Sequence, residues 1–352
     1  MRNKKFLSKL KKTLRNTLKS GESNDIKKNH LQVNKKKRLK HKKTKLLIER
    51  NKKKIVLVPA CIDYYDHGNY NLTNRFLNKI KELVLSKQKI LLNFDRTRKI
   101  TASAMISFIS EVSLLCELNK NEKYITFSHP KNEKMESILK QVGFYDLLNK
   151  PKRKTKEYDD VSYWNYASGI NTDSKRLADN MDDLEKKLSE LAQRKLYKGF
   201  TEAMANCVEH AYYATNEPTR WWAFSGIKNN KLIVVICDKG IGIPNSLPLT
   251  RTEEIIDKVK KILGLSKLND SALIKIAAMM GRTRTEKGHR GKGLKDIKSI
   301  IDVLNEGSLT IHSNFGYYTY YRKNGHLNDK KKEQKTSVNG TIVEWAIPIL
   351  VD

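Results

Sequence analysis

Past Lys54 the texture of the chain changes, and short apolar runs alternate with stretches of helical spacing. Residues 55–60 (IVLVPA) read as a short buried strand, and from 70 to 87 Leu72, Phe76, Leu77, Ile80, Leu83 and Val84 fall at a helical period. KILLNFD, ending at Asp95, is a second strand, and ITASAMISFISEVSLLCELN is a strand end running into a helix. KYITFSHP is a third strand, closed by Pro130, and NEKMESILKQVGFYDLL makes a helix that stops near Gly143. This alternation predicts one small α/β domain over residues 55–150. Residues 151–178 are polar, hold Pro151 and Gly169, lack a period and read as a connector. Residues 179–352 open with two helices, the second starting near Lys195, followed by the strand KLIVVICD. Helical patches at EEIIDKVKKIL and DSALIKIAAMM lie within a long stretch near 245–287. SLTIHS, GYYTYYR and NGTIVEWAIPI then suit an antiparallel meander. The expected fold class is α/β throughout.

In the first domain, a strand ending in Asp95 is followed by ITASA opening a helix, and a later helix ends in VGFYDLL. This layout resembles a STAS domain of the anti-sigma-factor-antagonist kind. Thr101, Ala102, Ser103 and Ala104 stand at the turn where phosphorylated relatives carry their acceptor serine, and Ala102 occupies the acceptor position itself. Thr101 and Ser103 therefore read either as relay hydroxyls or as ordinary turn and N-cap groups.

Charge adds a third region. The chain carries a formal +32, and residues 1–54 hold 22 Lys and Arg against 3 Asp and Glu. With few large apolar residues this arm cannot offset its ordering entropy, so it is expected to be disordered or transiently helical. Its lysines suit RNA, DNA or an anionic surface held by charge alone, or else they form a passive solubilising tail. Cys61, Cys116, Cys207 and Cys237 are scattered in or beside apolar runs with no C-x-x-C pair, the usage of a reduced cytoplasmic protein rather than a zinc site. No apolar run approaches the roughly 20 residues that span a bilayer.

The candidate chemistry lies beyond residue 195. Glu202, Asn206 and His210 recur every four residues and share one helix face. KLIVVICD runs into Asp238, and the turn after it holds Gly240 and Gly242. A carboxylate at the end of a buried strand is a desolvated acceptor suited to a single donor. The turn from Gly288 to Leu294, with Gly291 and Gly293, opens a helix whose first N–H groups can face anionic oxygens, with Arg290 and Lys292 as cations. The P-loop pattern is absent, and Asn245 breaks the Rossmann glycine spacing.

Taken in order, the E-x-x-x-N-x-x-x-H-A helix, D-x-G-x-G, the glycine turn and the Gly340-Thr341 strand start resemble the four boxes of the GHKL (histidine kinase/gyrase, Bergerat-fold) ATPases. The resemblance implies ATP and magnesium as cofactors and an α/β sandwich. It implies that Asn206 holds the metal, Glu202 acts as general base, and Asp238 with Thr341 holds adenine. It also implies that Gly288, Arg290, Gly291, Lys292 and Gly293 cradle phosphates, with His210 inside the metal box. An ATPase regulating a protein partner, a Ser/Thr kinase like the anti-sigma-factor kinases, and a non-hydrolysing nucleotide-gated module all remain open.

Overall fold

A computed structural model describes residues 52–119, 123–156, 158, 165–172, 187–213, 218–279 and 293–349. The expectation of disorder for the arm falls almost wholly outside them. Residues 55–352 form one compact unit of mixed α/β structure.

Its centre is a seven-stranded sheet made of β6 (Asn165–Gly169), β7 (Trp221–Lys228), β8 (Lys231–Asp238), β9 (Gly307–Ser313), β10 (Gly316–Lys323), β11 (His326–Glu333) and β12 (Thr341–Pro348). The spatial order is β11-β10-β9-β12-β8-β7-β6, and every neighbouring pair is antiparallel. The last strand thus inserts between β9 and β8 and does not continue a meander. β8 reads as an unbroken apolar run because both its faces are covered. Leu232, Val234 and Ile236 join one core, while Val235 and Cys237 join another.

The first core is built by α5 (Glu190–Glu209), α8 (Asp270–Met279) and α9 (Gly293–Leu304) against the sheet. α5 starts at Glu190, five residues before the expected Lys195, because Ser189 caps it by accepting from Ala192 N at 3.4 Å. Two further helices, α6 (Ile243–Thr250) and α7 (Glu253–Ile262), lie between β8 and α8 in the chain.

Residues 55–150 cover the opposite face. Their elements are β1 (Lys54–Leu57), β2 (Cys61–Ile62), α1 (His67–Leu85), β3 (Ile90–Asn93), β4 (Lys99–Ile100), α2 (Ala102–Leu118), β5 (Ile125–Phe127), α3 (Glu133–Gln141) and α4 (Phe144–Leu147). β1, β3 and β5 form a small sheet, with β3 and β5 parallel. The buried face of α2 shares a core with Trp222, Phe224, Val235, Cys237 and Ile342 of the large sheet. The two regions expected as separate domains are therefore packed on one another, and β6 arises inside the expected connector.

The turn at the start of α2 is closed to solvent. Thr101 takes the N-cap position but makes no capping bond, and it and Ser103 are buried. Ser103 Oγ donates to the buried Glu344 carboxylate of β12, whose other oxygen accepts from Tyr65 at 2.7 Å. Ser103 is thus held in a buried hydrogen bond, while Thr101 borders a cavity beside Tyr65, Lys99 and Ala102. No helix among the described residues is long and apolar enough to cross a membrane.

Candidate functional site

At the C-terminal end of β8 the chain must turn between the end of α5 and the start of β12. A cleft forms there with about 930 Å³ of empty space, open mouth included. Its walls are apolar, from Ala203, Ala211, Ile236, Ile243, Leu247 and Val343, with Ala277 and Ile297 closing one side.

Asp238 is the polar group at its base. It is 4% exposed, and Thr341 is its cross-strand partner, so both side chains lie on the helix-covered face. Asp238 Oδ1 accepts from Gly240 N at 2.9 Å and Thr341 N at 3.2 Å, and Oδ2 accepts from the Cys207 thiol at 3.7 Å. Burial pushes the Asp238 carboxyl up to about 6, with the two backbone donors opposing that rise. The same burial raises the Cys207 thiol well above its ordinary value, so Cys207 is a neutral donor. Because Oδ2 holds only a weak thiol donor, it keeps capacity for a stronger one. Thr341 Oγ1 lies 2.9 Å from Ser313 Oγ, which also accepts from Ile243 N at 2.8 Å.

The glycines after Asp238 serve the chain itself. A Cβ on Gly240 would lie 1.9 Å from the Ala211 carbonyl oxygen, and Ile241 N donates to that same oxygen at 2.7 Å. Gly242 has φ +80° and sits against the Asn314 side chain. At Gly240 the end of α5 takes up the space a side chain would need. Gly242 does line the cleft.

Asn206, His210, Ser246, Thr250 and Arg251 supply the polar lining of the cleft. Burial, helped by the nearby charge of Arg251, holds the His210 imidazole below its ordinary value. Glu202 is half-buried on α5, one turn before Asn206, and lies outside the cleft lining. Gly293 begins α9, one turn before Ile297 of the cleft wall. Gly288, Arg290, Gly291 and Lys292 lie outside the described residues.

The structure therefore brings together Asn206, His210, Asp238, Gly242 and Thr341. Sequence reasoning missed Cys207, Ser246, Thr250 and Arg251 as members of this lining. α6 announced itself only by Pro244 after Gly242, a helix-start signal, and Pro248 within it masked the period. Chemically, the cleft is an apolar slot ending in one buried carboxylate and one hydroxyl, with an amide, an imidazole and a guanidinium as further polar groups. Such a slot fits a flat heterocycle carrying an amine donor and an anionic substituent. No protein-family model matches the chain, and no curated protein matches it.

Proposed function

We propose that this cleft binds ATP with magnesium in the manner of the GHKL ATPases, on a Bergerat-type sandwich, with a STAS-like layer on the far side of the sheet. The observation that carries this reading is the placement of Asp238 and Thr341 as cross-strand partners at the base of an apolar slot that also holds Asn206. In this reading Asp238 accepts the adenine amine and Thr341 assists it. Asn206 holds magnesium through its side-chain oxygen, since hard cations prefer oxygen ligands. His210 and Arg251 are the candidate phosphate groups of the cleft, and the resemblance adds Gly288, Arg290, Gly291, Lys292 and Gly293 to them. Glu202 is the candidate general base.

Asn206→Ala is expected to weaken magnesium-dependent ATP binding about tenfold, in the range of one lost polar contact to a charged ligand, while leaving metal-free binding unchanged. Titration with a fluorescent ATP analogue, with and without magnesium, reads both quantities. An equal loss in both conditions removes Asn206 from the metal. A single-turnover assay with γ-labelled ATP, separating free phosphate from phosphoprotein, distinguishes hydrolysis from transfer. Absence of both leaves a nucleotide-gated module.

For residues 1–54 the proposal is salt-sensitive binding of polyanions by charge, because 22 cations against 3 anions come with no aromatic residue except Phe6. Retention on RNA, DNA or anionic vesicles should fall steeply with salt. It should vanish when the arm is deleted, while ATP binding persists. Sequence-selective retention of one nucleic acid, or no retention at physiological salt, contradicts it.

A further inference from the structure

The loop from Gln334 to Gly340 leads from β11 directly into Thr341, and it is gripped from the far side of the sheet. Four residues of α1, His67, Asn71, Asn74 and Asn78, recur at intervals of four, three and four and so share one helix face. Each bonds to this loop. His67 Nδ1 lies 3.0 Å from Gln334 Oε1, and Thr336 Oγ1 donates to Asn71 Oδ1 at 3.0 Å. Asn74 Nδ2 donates to Thr336 Oγ1 at 3.1 Å, and Asn339 Nδ2 donates to Asn78 Oδ1 at 2.9 Å.

A second link runs from Lys239, the residue after Asp238. Its side chain is buried under α2, where Nζ donates to Ser107 Oγ at 3.0 Å and lies 3.7 Å from Glu111 Oε2. The same ammonium donates to the carbonyl of Val338, inside the gripped loop, at 3.2 Å. Both chain segments that meet at the base of the cleft, 238–240 and 338–341, are thus tied to the first α/β layer by side chains that do not line the cleft.

We infer that residues 55–150 act as a built-in regulator of the cleft: the polar stripe of α1 and the buried Lys239 set the spacing of Asp238 and Thr341, and so set nucleotide affinity. This inference rests on the nucleotide-binding reading above. The stripe explains why four polar side chains occupy one face of α1 beside its apolar face, which packing alone does not require. The grip is made of neutral hydrogen bonds. Of the four grip residues His67 is exposed, Asn71 and Asn78 are half-buried, and Asn74 alone is buried. Such bonds contribute little to stability and exchange readily with water, so a change at α1 can reach the cleft without unfolding the sheet.

The test uses the full chain and magnesium-ATP. Asn78→Ala touches only the grip on Asn339 and suits a helix, while Thr336→Val removes two grip bonds at nearly constant shape. Each is expected to weaken ATP binding by roughly five- to twentyfold, the scale of a modest coupling between sites. Thr336→Ser keeps the hydroxyl and should restore wild-type affinity. Wild-type affinity in both Asn78→Ala and Thr336→Val overturns the inference and leaves the nucleotide reading intact. Thr336→Ser as weak as Thr336→Val also overturns it, since packing rather than the hydroxyl is then responsible. No ATP binding by the unaltered protein overturns both.

Discussion

Asp238→Asn is expected to weaken ATP binding by about tenfold to 100-fold, the cost of spoiling one buried hydrogen-bonded site, and at the same time to make the free protein more stable at neutral pH. The two effects have one origin. In the folded protein the carboxyl is raised from its ordinary 3.8 to about 6 because burial disfavours its charge. A raised carboxyl contributes stability that is fully present below about pH 3.8 and is lost as pH climbs through about 6. At pH 7 the carboxyl is ionised in both states, and its charge costs the folded protein, relative to the unfolded chain, on the order of 2–3 kcal/mol at about 1.4 kcal/mol per pH unit. An amide in the same place still accepts from Gly240 and Thr341 through its oxygen but carries no charge. It presents N–H groups where the carboxylate presented a lone pair, so an amine on the ligand meets a donor. Urea unfolding of the free protein, alongside ATP titration, reads both consequences. A variant that binds ATP unchanged takes Asp238 out of the site. One that loses binding together with stability assigns it a structural role. ATP affinity of the unaltered protein should likewise fall as pH drops through about 6.

His312 is expected to dominate the acid sensitivity of the fold. It stands on β9 with no exposed surface, neither ring nitrogen has a hydrogen-bond partner among the described residues, and the rings of Tyr64, Tyr70 and Tyr317 surround it at 5.2–5.7 Å. Burial pushes its imidazole down to about 3. The unfolded chain takes up this proton near pH 6.5 while the folded chain does not. Stability contributed by the neutral ring is thus present above 6.5 and is lost as pH falls towards 3. At pH 4.5 that loss is about 3 kcal/mol. Asp238 works in the opposite direction over part of this range, so the comparison must be between variants. His312→Phe keeps an aromatic ring in the cluster and removes the titration. Its unfolding free energy should decline about 3 kcal/mol less than that of the unaltered protein between pH 7 and 4.5. Parallel pH profiles for the two proteins would refute the assignment.

The candidate site was legible where chemistry and local pattern coincide. Asp238 ends a strand buried on both faces, so its carboxylate stood out in an apolar run, and Thr341 follows a glycine at the start of another such strand. Cys207 looked like a small apolar residue because nothing in its neighbours reveals that its thiol meets Asp238 between α5 and β8. β7 went unread although its turn is marked. Asn229 and Asn230 both have positive φ, and two such residues between apolar runs are a hairpin signal. β11 is exposed along its whole length, and its HLNDKKKE sequence has no alternation to detect. It is an edge strand, where charge blocks further pairing, so tertiary position decided its composition. The packing of residues 55–150 onto the sheet was also hidden. The polar stripe His67, Asn71, Asn74 and Asn78 reads as a solvated helix face until the loop it holds is seen.

The central claim is that a single buried carboxylate reads an amine on a nucleobase. Calorimetric titration of the full chain with magnesium-ATP and with magnesium-ITP, whose base carries a carbonyl oxygen in place of that amine, tests it most directly. A site built around one such hydrogen bond is expected to bind ATP at least about tenfold more tightly than ITP, because the carboxylate would face another acceptor. Equal affinity for the two, or no heat with either, would contradict the account.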